Sequence, residues 1–271
     1  MNQERRLLCI LAHPDDESLG MGGILAKYAN EDVATYLVTA TRGEHGWFGP
    51  EDEYPGPAAL GQRREQELYA AAAVLGLQEV NFLDYEDGCL DQADPDEVIG
   101  KLVDHLRRIR PHVVVTFDPY GAYGHPDHIA ICQFTTAAVV AAANGDFGNG
   151  RSPHQVSKLY YYAETLDALA TYEEAFGELV MHIDGVERRA PGWPAWAITT
   201  RVDTAVYRQQ VWQAISCHQS QLPGYQALRD LPQEKYLGLW DNQSFYRAFS
   251  LVNGGRTEEQ DLFAGLHQAA P

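Results

Sequence analysis

Short apolar runs alternate with helical patterns over the first 163 residues, and this alternation constrains the possible folds more than any other feature. The first run, residues 7–12, is apolar throughout, which is typical of a strand buried on both faces. Strands separated by helices imply right-handed crossovers and a mostly parallel sheet covered on both sides. We therefore predict a doubly wound α/β fold. Its strands are expected at residues 7–12, 33–39, 80–83, 113–117 and 158–163.

Helical patterns fill the intervals between these runs, at residues 18–30, 63–75, 95–110 and 127–143. Asp94 and Pro95 form a typical helix start, with an acidic N-cap before a proline in the first turn. After residue 164 the alternation ends. Residues 179–183 and 197–202, with an Asp184–Gly185 turn, predict antiparallel additions, followed by a helix at 204–217 and a loop-rich end. Since no linker or repeat interrupts the chain, we expect one domain over residues 1–271.

The charge balance excludes several classes of partner. The 271 residues include 38 acidic and 20 basic side chains, for a formal net charge of −18. Such a chain repels nucleic-acid phosphates and anionic lipids, so we expect neither as a partner. The six-residue apolar run near the N-terminus is too short for a signal peptide, and four scattered cysteines are typical of a reducing compartment. The sequence therefore predicts a cytoplasmic protein, and it leaves open whether the chain forms a homo-oligomer.

Two clusters of ionisable residues follow predicted strands. The segment 13–17 (HPDDE) follows the first strand, and the segment 123–128 (YGHPDH) follows the fourth. In a doubly wound sheet of order 3-2-1-4 these two strands are neighbours. Their carboxyl ends flank the crevice in which ligands bind. We therefore expect both clusters to meet at one site.

The residue types in these clusters predict a metal centre. Imidazole nitrogens and carboxylate oxygens suit zinc, and a catalytic zinc has three protein ligands and one open position. His13 and Asp16 lie three residues apart and can reach one ion, and we choose His128 as the third ligand. Asp15 and His125 are then free for proton transfer. Ferrous iron is an alternative metal because the same donors accept it. Helix capping alone explains too little, since a cap needs one side chain at each helix end.

Six segments of the sequence resemble the LmbE/PIG-L family of zinc-dependent de-N-acetylases, which hydrolyse N-acetylglucosamine conjugates and include deacetylases of the mycothiol and bacillithiol pathways. The matching segments are AHPDDE at 12–17, TRGE at 41–44, Arg64 with Glu67, YEDG at 85–88, YGHPDH at 123–128 and HQSQ at 218–221. The resemblance covers residues 6–140 in order and extends more loosely to about residue 225. The first and fifth segments are highly specific, whereas residues 146–196 match no family pattern.

The resemblance implies a Rossmann-like three-layer αβα sandwich with zinc held by His13, Asp16 and His128. The catalytic residues that it implies are Asp15 as general base, His125 as general acid, Asp127 as the partner that orients His125, and Tyr123 at the oxyanion. The implied contacts to sugar hydroxyls are Arg64, Asp87, Arg42 and Glu44.

The expected function is therefore zinc-dependent hydrolysis of the acetamide of a small N-acetylated amino sugar. A first alternative is a metal-dependent amidase that acts on a thiol conjugate. A second is a non-catalytic sugar-binding protein that a metal stabilises. Asp15 and His125 argue against the second alternative, because neither residue is needed as a zinc ligand.

Overall fold

A seven-stranded sheet is the centre of the structure, a computed structural model that describes residues 4–148, 150–183, 185–253 and 257–266. The strands in chain order are β1 (Arg6–Leu11), β2 (Ala34–Thr39), β3 (Glu79–Phe82), β4 (Val113–Thr116), β5 (Lys158–Tyr162), β6 (Val180–Ile183), β7 (Val186–Arg189), β8 (Thr200–Asp203) and β9 (Asn242–Ser250). The sheet has the order β3-β2-β1-β4-β5-β9-β8, and β6 and β7 form a separate hairpin. The predicted order 3-2-1-4 is confirmed.

The five strands predicted in the first half all pair in parallel. Residues 7–11 of β1 and all of β4 are buried, as their apolar sequences predict for strands with helices on both faces. The expected antiparallel additions are also present, since β8 pairs with β9 and β6 pairs with β7. Asp184, in the predicted turn between β6 and β7, lies outside the described residues.

Strand β9 corrects the expectation that the end of the chain is loop-rich. It pairs antiparallel with β5 and carries the sheet on to β8. This strand could not be recognised from the sequence because two of its buried residues, Gln243 and Ser244, are polar. Gln243 binds backbone instead of packing in an apolar cluster: its Oε1 accepts a hydrogen bond from the N–H of Ile24 at 2.6 Å, and its Nε2 donates to the carbonyl of Gly20.

Ten helices surround the sheet in the described part of the chain. They are α1 (Asp16–Leu19), α2 (Gly22–Asn30), α3 (Pro57–Leu75), α4 (Pro95–Ile109), α5 (Gly121–Gly124), α6 (Pro126–Ala143), α7 (Leu166–Phe176), α8 (Arg208–Ile215), α9 (Gln226–Asp230) and α10 (Gln233–Leu237). None of them is long and apolar enough to cross a membrane.

Three of the helix predictions need correction. The helix expected at 18–30 is divided into α1 and α2, because Gln243 holds the backbone at the break between them. Helix α3 begins six residues before the expected start, with Pro57 at its first position. The helix expected at 204–217 is shorter, since α8 covers Arg208–Ile215. Helices α5, α7, α9 and α10 were not predicted. The N-cap of α4 is confirmed, since the Asp94 carboxylate accepts hydrogen bonds from two N–H groups of the first turn.

Candidate active site

The carboxyl ends of β1 and β4 bring the two ionisable clusters together. His13 and His128 are 115 residues apart in sequence, yet His128 Nε2 lies 3.2 Å from His13 Nδ1. Asp16 joins them, with Oδ1 3.5 Å from His128 Nε2 and Oδ2 3.7 Å from His13 Nδ1. The Asp16 carboxylate is held in this position by the N–H groups of Ala12 and His13, at 3.2 and 2.8 Å. Potential ligand atoms of three residues therefore face one point.

The second nitrogen of His13 faces two further carboxylates. Its Nε2 lies 3.0 Å from Asp87 Oδ1 and 3.1 Å from Asp127 Oδ2. An imidazole that donates from Nε2 to a carboxylate keeps a lone pair on Nδ1, which is the arrangement found behind metal-bound histidines. Burial lowers the pKa of His13, but hydrogen bonds to Asp127 and Asp87 outweigh burial and raise the pKa to about 10. The carboxylates around His13 thus favour a positive charge at this position, which a bound metal cation would supply in place of the proton.

The spacing of the donor atoms of His13, His128 and Asp16, with both Asp16 oxygens taken into account, fits a zinc-sized cation. Tetrahedral bonds of about 2.0–2.2 Å place neighbouring ligand atoms about 3.3–3.6 Å apart. The measured separations of 3.2, 3.5 and 3.7 Å span this range. A nitrogen of His125 also lies within 4.8 Å of ligand atoms of His13 and His128. The residues present therefore match the donor type and the spacing that zinc requires.

Asp15 has a strained backbone that its neighbours hold in place. Its φ of 109° lies in the left-handed region, which typically costs about 1–3 kcal/mol for a non-glycine residue. Glu17 Oε2 accepts the Asp15 N–H at 2.9 Å. The Asp15 Oδ2 atom accepts hydrogen bonds from Arg64 Nη2 at 3.1 Å and from the Tyr225 hydroxyl at 2.5 Å. The carboxylate is therefore held by two donors, and the backbone of the same residue is held by Glu17.

Glu17 is itself anchored by a histidine from the second half of the chain. Its Oε1 lies 2.8 Å from His218 Nε2, and both side chains are fully buried. Burial alone raises the pKa of Glu17, but the charge of His218 reverses this and holds the pKa below its usual range. The HQSQ segment that contains His218 is part of the resemblance, but His218 is not among the predicted site residues. The structure links His218 through Glu17 to the backbone of Asp15.

His125 and His128 lie at the start of α6. His125 is the N-cap of this helix, and its Nδ1 accepts the N–H of Asp127 at 3.2 Å. This bond leaves Nε2 as the nitrogen that carries the proton of the neutral ring. Burial, followed by the charge of His13, lowers the pKa of His125 to about 4.

Asp127 differs from the expectation that its carboxylate orients His125. The carboxylate accepts from His13 Nε2 and from the N–H groups of Gly88 and Leu90, at 3.1, 2.8 and 3.0 Å. Only the backbone N–H of Asp127 binds the His125 ring. A side chain in the first turn of α6 points toward the neighbouring loop and His13, so the sequence alone assigned it the wrong imidazole.

Comparisons with known proteins identify the family of this chain. The family model described as "PIG-L: GlcNAc-PI de-N-acetylase" matches residues 8–172, which is more than half of the chain. The chain belongs to the PIG-L family.

Two curated relatives of this PIG-L chain are each named 1D-myo-inositol 2-acetamido-2-deoxy-alpha-D-glucopyranoside deacetylase. The protein from Rhodococcus jostii is 36% identical, and the alignment covers 97% of this chain and 99% of the relative. The protein from Kineococcus radiotolerans is 33% identical, with 98% and 84% covered. A solved structure, the conserved protein TT1542 from Thermus thermophilus, is 27% identical with a TM-score of 0.65, covering 92% of this chain and 96% of that one. These comparisons confirm the family and the fold.

The cleft of this PIG-L chain, with a volume of about 450 Å³, contains most of the predicted site residues. Those that line it are His13, Asp15, Asp16, Arg64, Asp87, Tyr123, His125 and His128. The Tyr123 ring lies 5.5 Å from the His128 ring, between centroids. Tyr123 belongs to α5, a short turn in which Ala122 has a φ of 59°.

Arg42 and Glu44 do not line the cleft, unlike the two other predicted sugar contacts. Arg42 pairs with Glu65 and with Asp84, both at 2.5 Å, on the outside of α3. Glu44 acts on the site indirectly, because its Oε1 accepts the N–H of Asp87 at 3.0 Å. The structure therefore gives Arg42 a surface role and Glu44 a supporting one.

Much of the cleft wall consists of residues that sequence reasoning did not select. They include Tyr225 and Gln221, and a second group made up of Tyr162, Glu164, Leu169, Tyr172, Phe176, Leu179, Met181 and Ala190. The family model extends to residue 172, so the expectation that residues 146–196 match no family pattern is wrong for residues 146–172. For the first pair the HQSQ segment is a signal in the sequence, because Gln221 belongs to it and Tyr225 follows it by four residues. The second group gave none, because aliphatic and aromatic residues at these spacings are typical of ordinary packing.

Proposed function

We propose that this chain is a zinc-dependent hydrolase that removes the acetyl group from a small N-acetylglucosamine-type conjugate. The observation that carries the proposal is the convergence of His13, Asp16 and His128 beside an oriented carboxylate, Asp15. Family membership and the names of the relatives support the same reaction. We further propose that it works in the cytoplasm on a small molecule, as the sequence predicts.

His13, Asp16 and His128 would hold the metal. When bound, zinc supplies a Lewis acid that polarises the acetyl carbonyl and lowers the pKa of water. The donor set also suits ferrous iron, so zinc is the proposed but not the exclusive metal. Asp87 and Asp127 hold the His13 ring from behind through Nε2, which keeps Nδ1 directed at the site.

Asp15 would act as the general base, accepting the proton of the attacking water. Arg64 and Tyr225 both bind its Oδ2 atom, so the carboxylate is already oriented before a substrate binds. Oriented general bases typically contribute about 10²–10⁴ in rate. The strained backbone at this residue supports the role, because strain of this kind concentrates at functional sites.

For His125 we propose a hydrogen-bond donor role instead of the general acid that the resemblance implies. Its Nδ1 accepts the Asp127 N–H, and a protonated ring would lose that bond. The neutral ring presents Nε2–H, which together with the Tyr123 hydroxyl would stabilise the developing oxyanion. Asp15, having gained a proton, would then return it to the leaving nitrogen. Asp87 is proposed to bind a sugar hydroxyl at the same cleft, whereas Arg64 positions Asp15.

Two aspartate variants test the proposal. Asp15→Asn should retain the metal but lose most turnover, whereas Asp16→Ala should lose the metal itself. The measurements are metal content by mass spectrometry and acetate release from N-acetylglucosamine derivatives, with and without a chelator. Asp146→Asn, at an exposed position after α6, is the matched control and should change neither. Full zinc retention by Asp16→Ala would overturn the ligand assignment.

The same substrate panel separates the alternatives. Release of a different acid from a thiol conjugate, without release of acetate, would favour the amidase. Sugar binding with no hydrolysis by the zinc-loaded protein would favour the non-catalytic binding protein.

A further inference from the structure

One wall of the cleft is apolar and has no part in the proposed reaction. We name it the apolar chamber, and its residues are Leu169, Tyr172, Phe176, Leu179, Met181 and Ala190. The three residues from α7 lie at i, i+3 and i+7, which puts them on one face of that helix. The other three belong to the hairpin of β6 and β7 or directly flank it.

The fold places the apolar chamber on a defined side of the predicted metal ligands. Its elements follow β5, whereas Arg64 and Asp87 come from α3 and from the loop after β3. In the sheet, β2, β1 and β4 separate β3 from β5, so these two groups of residues approach the cleft from opposite flanks. Arg188 of the hairpin donates to the carbonyl of Gly124 at 3.1 Å. The chamber therefore adjoins α5, which carries Tyr123 at the reacting end.

The apolar chamber offers few partners for a polar ligand. Of the described cleft residues between 162 and 190, Glu164 alone has a carboxylate, and the Tyr162 hydroxyl already donates to it at 2.7 Å. Burial raises the pKa of Glu164 to about 7. Burial likewise raises the pKa of the Tyr172 hydroxyl. A polyol such as inositol would lose water from several hydroxyls here without gaining enough hydrogen bonds in return.

We propose that the apolar chamber binds an aryl or alkyl group of the substrate, attached either as the aglycone or as the N-acyl chain. This inference rests on the proposed function, because it names the substrate class of the same site. It also predicts that the substrate of this chain carries a different group from the inositol in the names of the two relatives. Full burial of a group the size of a leucine or phenylalanine side chain corresponds to about 10- to 100-fold in kcat/KM.

The test compares four substrates: N-acetylglucosamine, its phenyl glycoside, its inositol glycoside and N-phenylacetylglucosamine. The zinc-loaded protein should hydrolyse the phenyl glycoside or the phenylacetyl compound with a kcat/KM about 10- to 100-fold above that of N-acetylglucosamine. Which of these two is preferred identifies the source of the apolar group. The inositol glycoside should show no such gain. Calorimetric titration of the same compounds gives affinities that do not depend on turnover.

A pair of hairpin variants assigns the preference to the apolar chamber. Met181→Gln keeps the length of the side chain but places an amide in the chamber, so it should lower the ratio of aryl to plain substrate about tenfold. Val186→Gln, on the neighbouring strand and largely exposed, does not line the cleft and should leave the ratio unchanged. Matched melting temperatures will show that both variants fold.

The outcomes separate the two proposals. Hydrolysis of all four substrates with the inositol glycoside preferred, or with no preference, refutes the apolar chamber and leaves the deacetylase standing. If no substrate is hydrolysed, the proposed function fails and the titrations decide the inference. Tighter binding of the aryl compounds, lost in Met181→Gln, then supports the chamber, and equal affinities overturn it.

Discussion

Replacing Arg64 with methionine separates two interpretations of this residue. The sequence predicts a sugar contact, in which case Arg64→Met raises KM and leaves the folded state unaffected. The structure instead shows a buried guanidinium that bonds to protein on several sides. Its Nη1 donates to the carbonyl of Gly43 at 2.6 Å, and its Nη2 donates to the carbonyl of Pro14 and to Asp15 Oδ2. On this basis the side chain positions the general base.

The size of the effect follows from the groups left behind. Two carbonyls would lose their partner, at about 1–3 kcal/mol each where they stay buried, and Asp15 would keep only Tyr225. Removing one partner of a buried charged pair typically costs about 3–5 kcal/mol, and we expect a loss of that order in the free energy of unfolding. Methionine and arginine have similar helix propensities, so α3 itself should not be weakened. The lost hydrogen bond to Asp15, about 1.5–3 kcal/mol, corresponds to about 10- to 100-fold in kcat.

The assay is urea unfolding at pH 7 together with kcat and KM measured separately. The neighbouring residue provides the control, because Arg63 is half exposed and pairs across one helical turn with Glu67, a carboxylate that keeps two hydrogen bonds from Ser220 when Arg63 is replaced. Arg63→Met should therefore cost no more than about 0.5 kcal/mol and leave kcat unchanged. If Arg64→Met and Arg63→Met have the same urea midpoint and Arg64→Met changes KM alone, the positioning role is refuted and the sugar contact is supported.

Two further changes test the electrostatics of the cleft. His125→Asn should lower kcat about 10- to 100-fold. The shape of the pH profile between pH 6 and 9 should be preserved, because a neutral hydrogen-bond donor does not titrate there. Loss of one limb of the profile in this variant would support the general-acid role instead. Burial raises the pKa of Glu164 from 4.5 to about 7; the hydrogen bond from the Tyr162 hydroxyl lowers this pKa, and the charge of Asp118 raises it. The folded state therefore holds the Glu164 proton more tightly than the unfolded state. The free energy of unfolding of the wild type therefore falls as the pH rises from about 4.5 to 7. With allowance for solvent in the cleft, Glu164→Gln should be about 1–2 kcal/mol more stable than the wild type at pH 8, and almost equal to it at pH 5. Equal urea midpoints for the two proteins at both pH values would show that Glu164 ionises freely.

The parallel half of the sheet could be predicted because its strands are buried on both faces, and burial of that kind leaves continuous apolar runs such as residues 7–11. Strand β9 could not, since its buried Gln243 serves backbone groups of Gly20 and Ile24 that lie more than 200 residues earlier. A polar residue whose partners are distant in sequence has the same local pattern as a loop. Propensity and periodicity carry no information about such a bond.

A similar limit applies to the site. The residues that meet at one point were predictable, because strand order and cluster position together determine which loops are adjacent. The contacts of each carboxylate were not predictable, since Asp127 faces His13 instead of His125, and Asp15 is held by Tyr225 from 210 residues away. Sequence spacing shows which side chains can share a site. It does not show in which direction each of them points.

Different elements of the fold carry the proposed catalytic residues and the apolar chamber. The predicted metal ligands and Asp15 lie at the ends of β1 and β4, whose hydrogen-bonded ladders belong to the centre of the seven-stranded sheet. Most of the apolar chamber depends on α7 and on a hairpin whose strands pair only with each other. Because that hairpin has no strand pairing with β1 or β4 in the described part of the chain, we expect that the group next to the amide can change while the catalytic geometry is preserved. Relatives with the same metal-site geometry are therefore expected to differ in substrate mainly through residues in the region of 162–190.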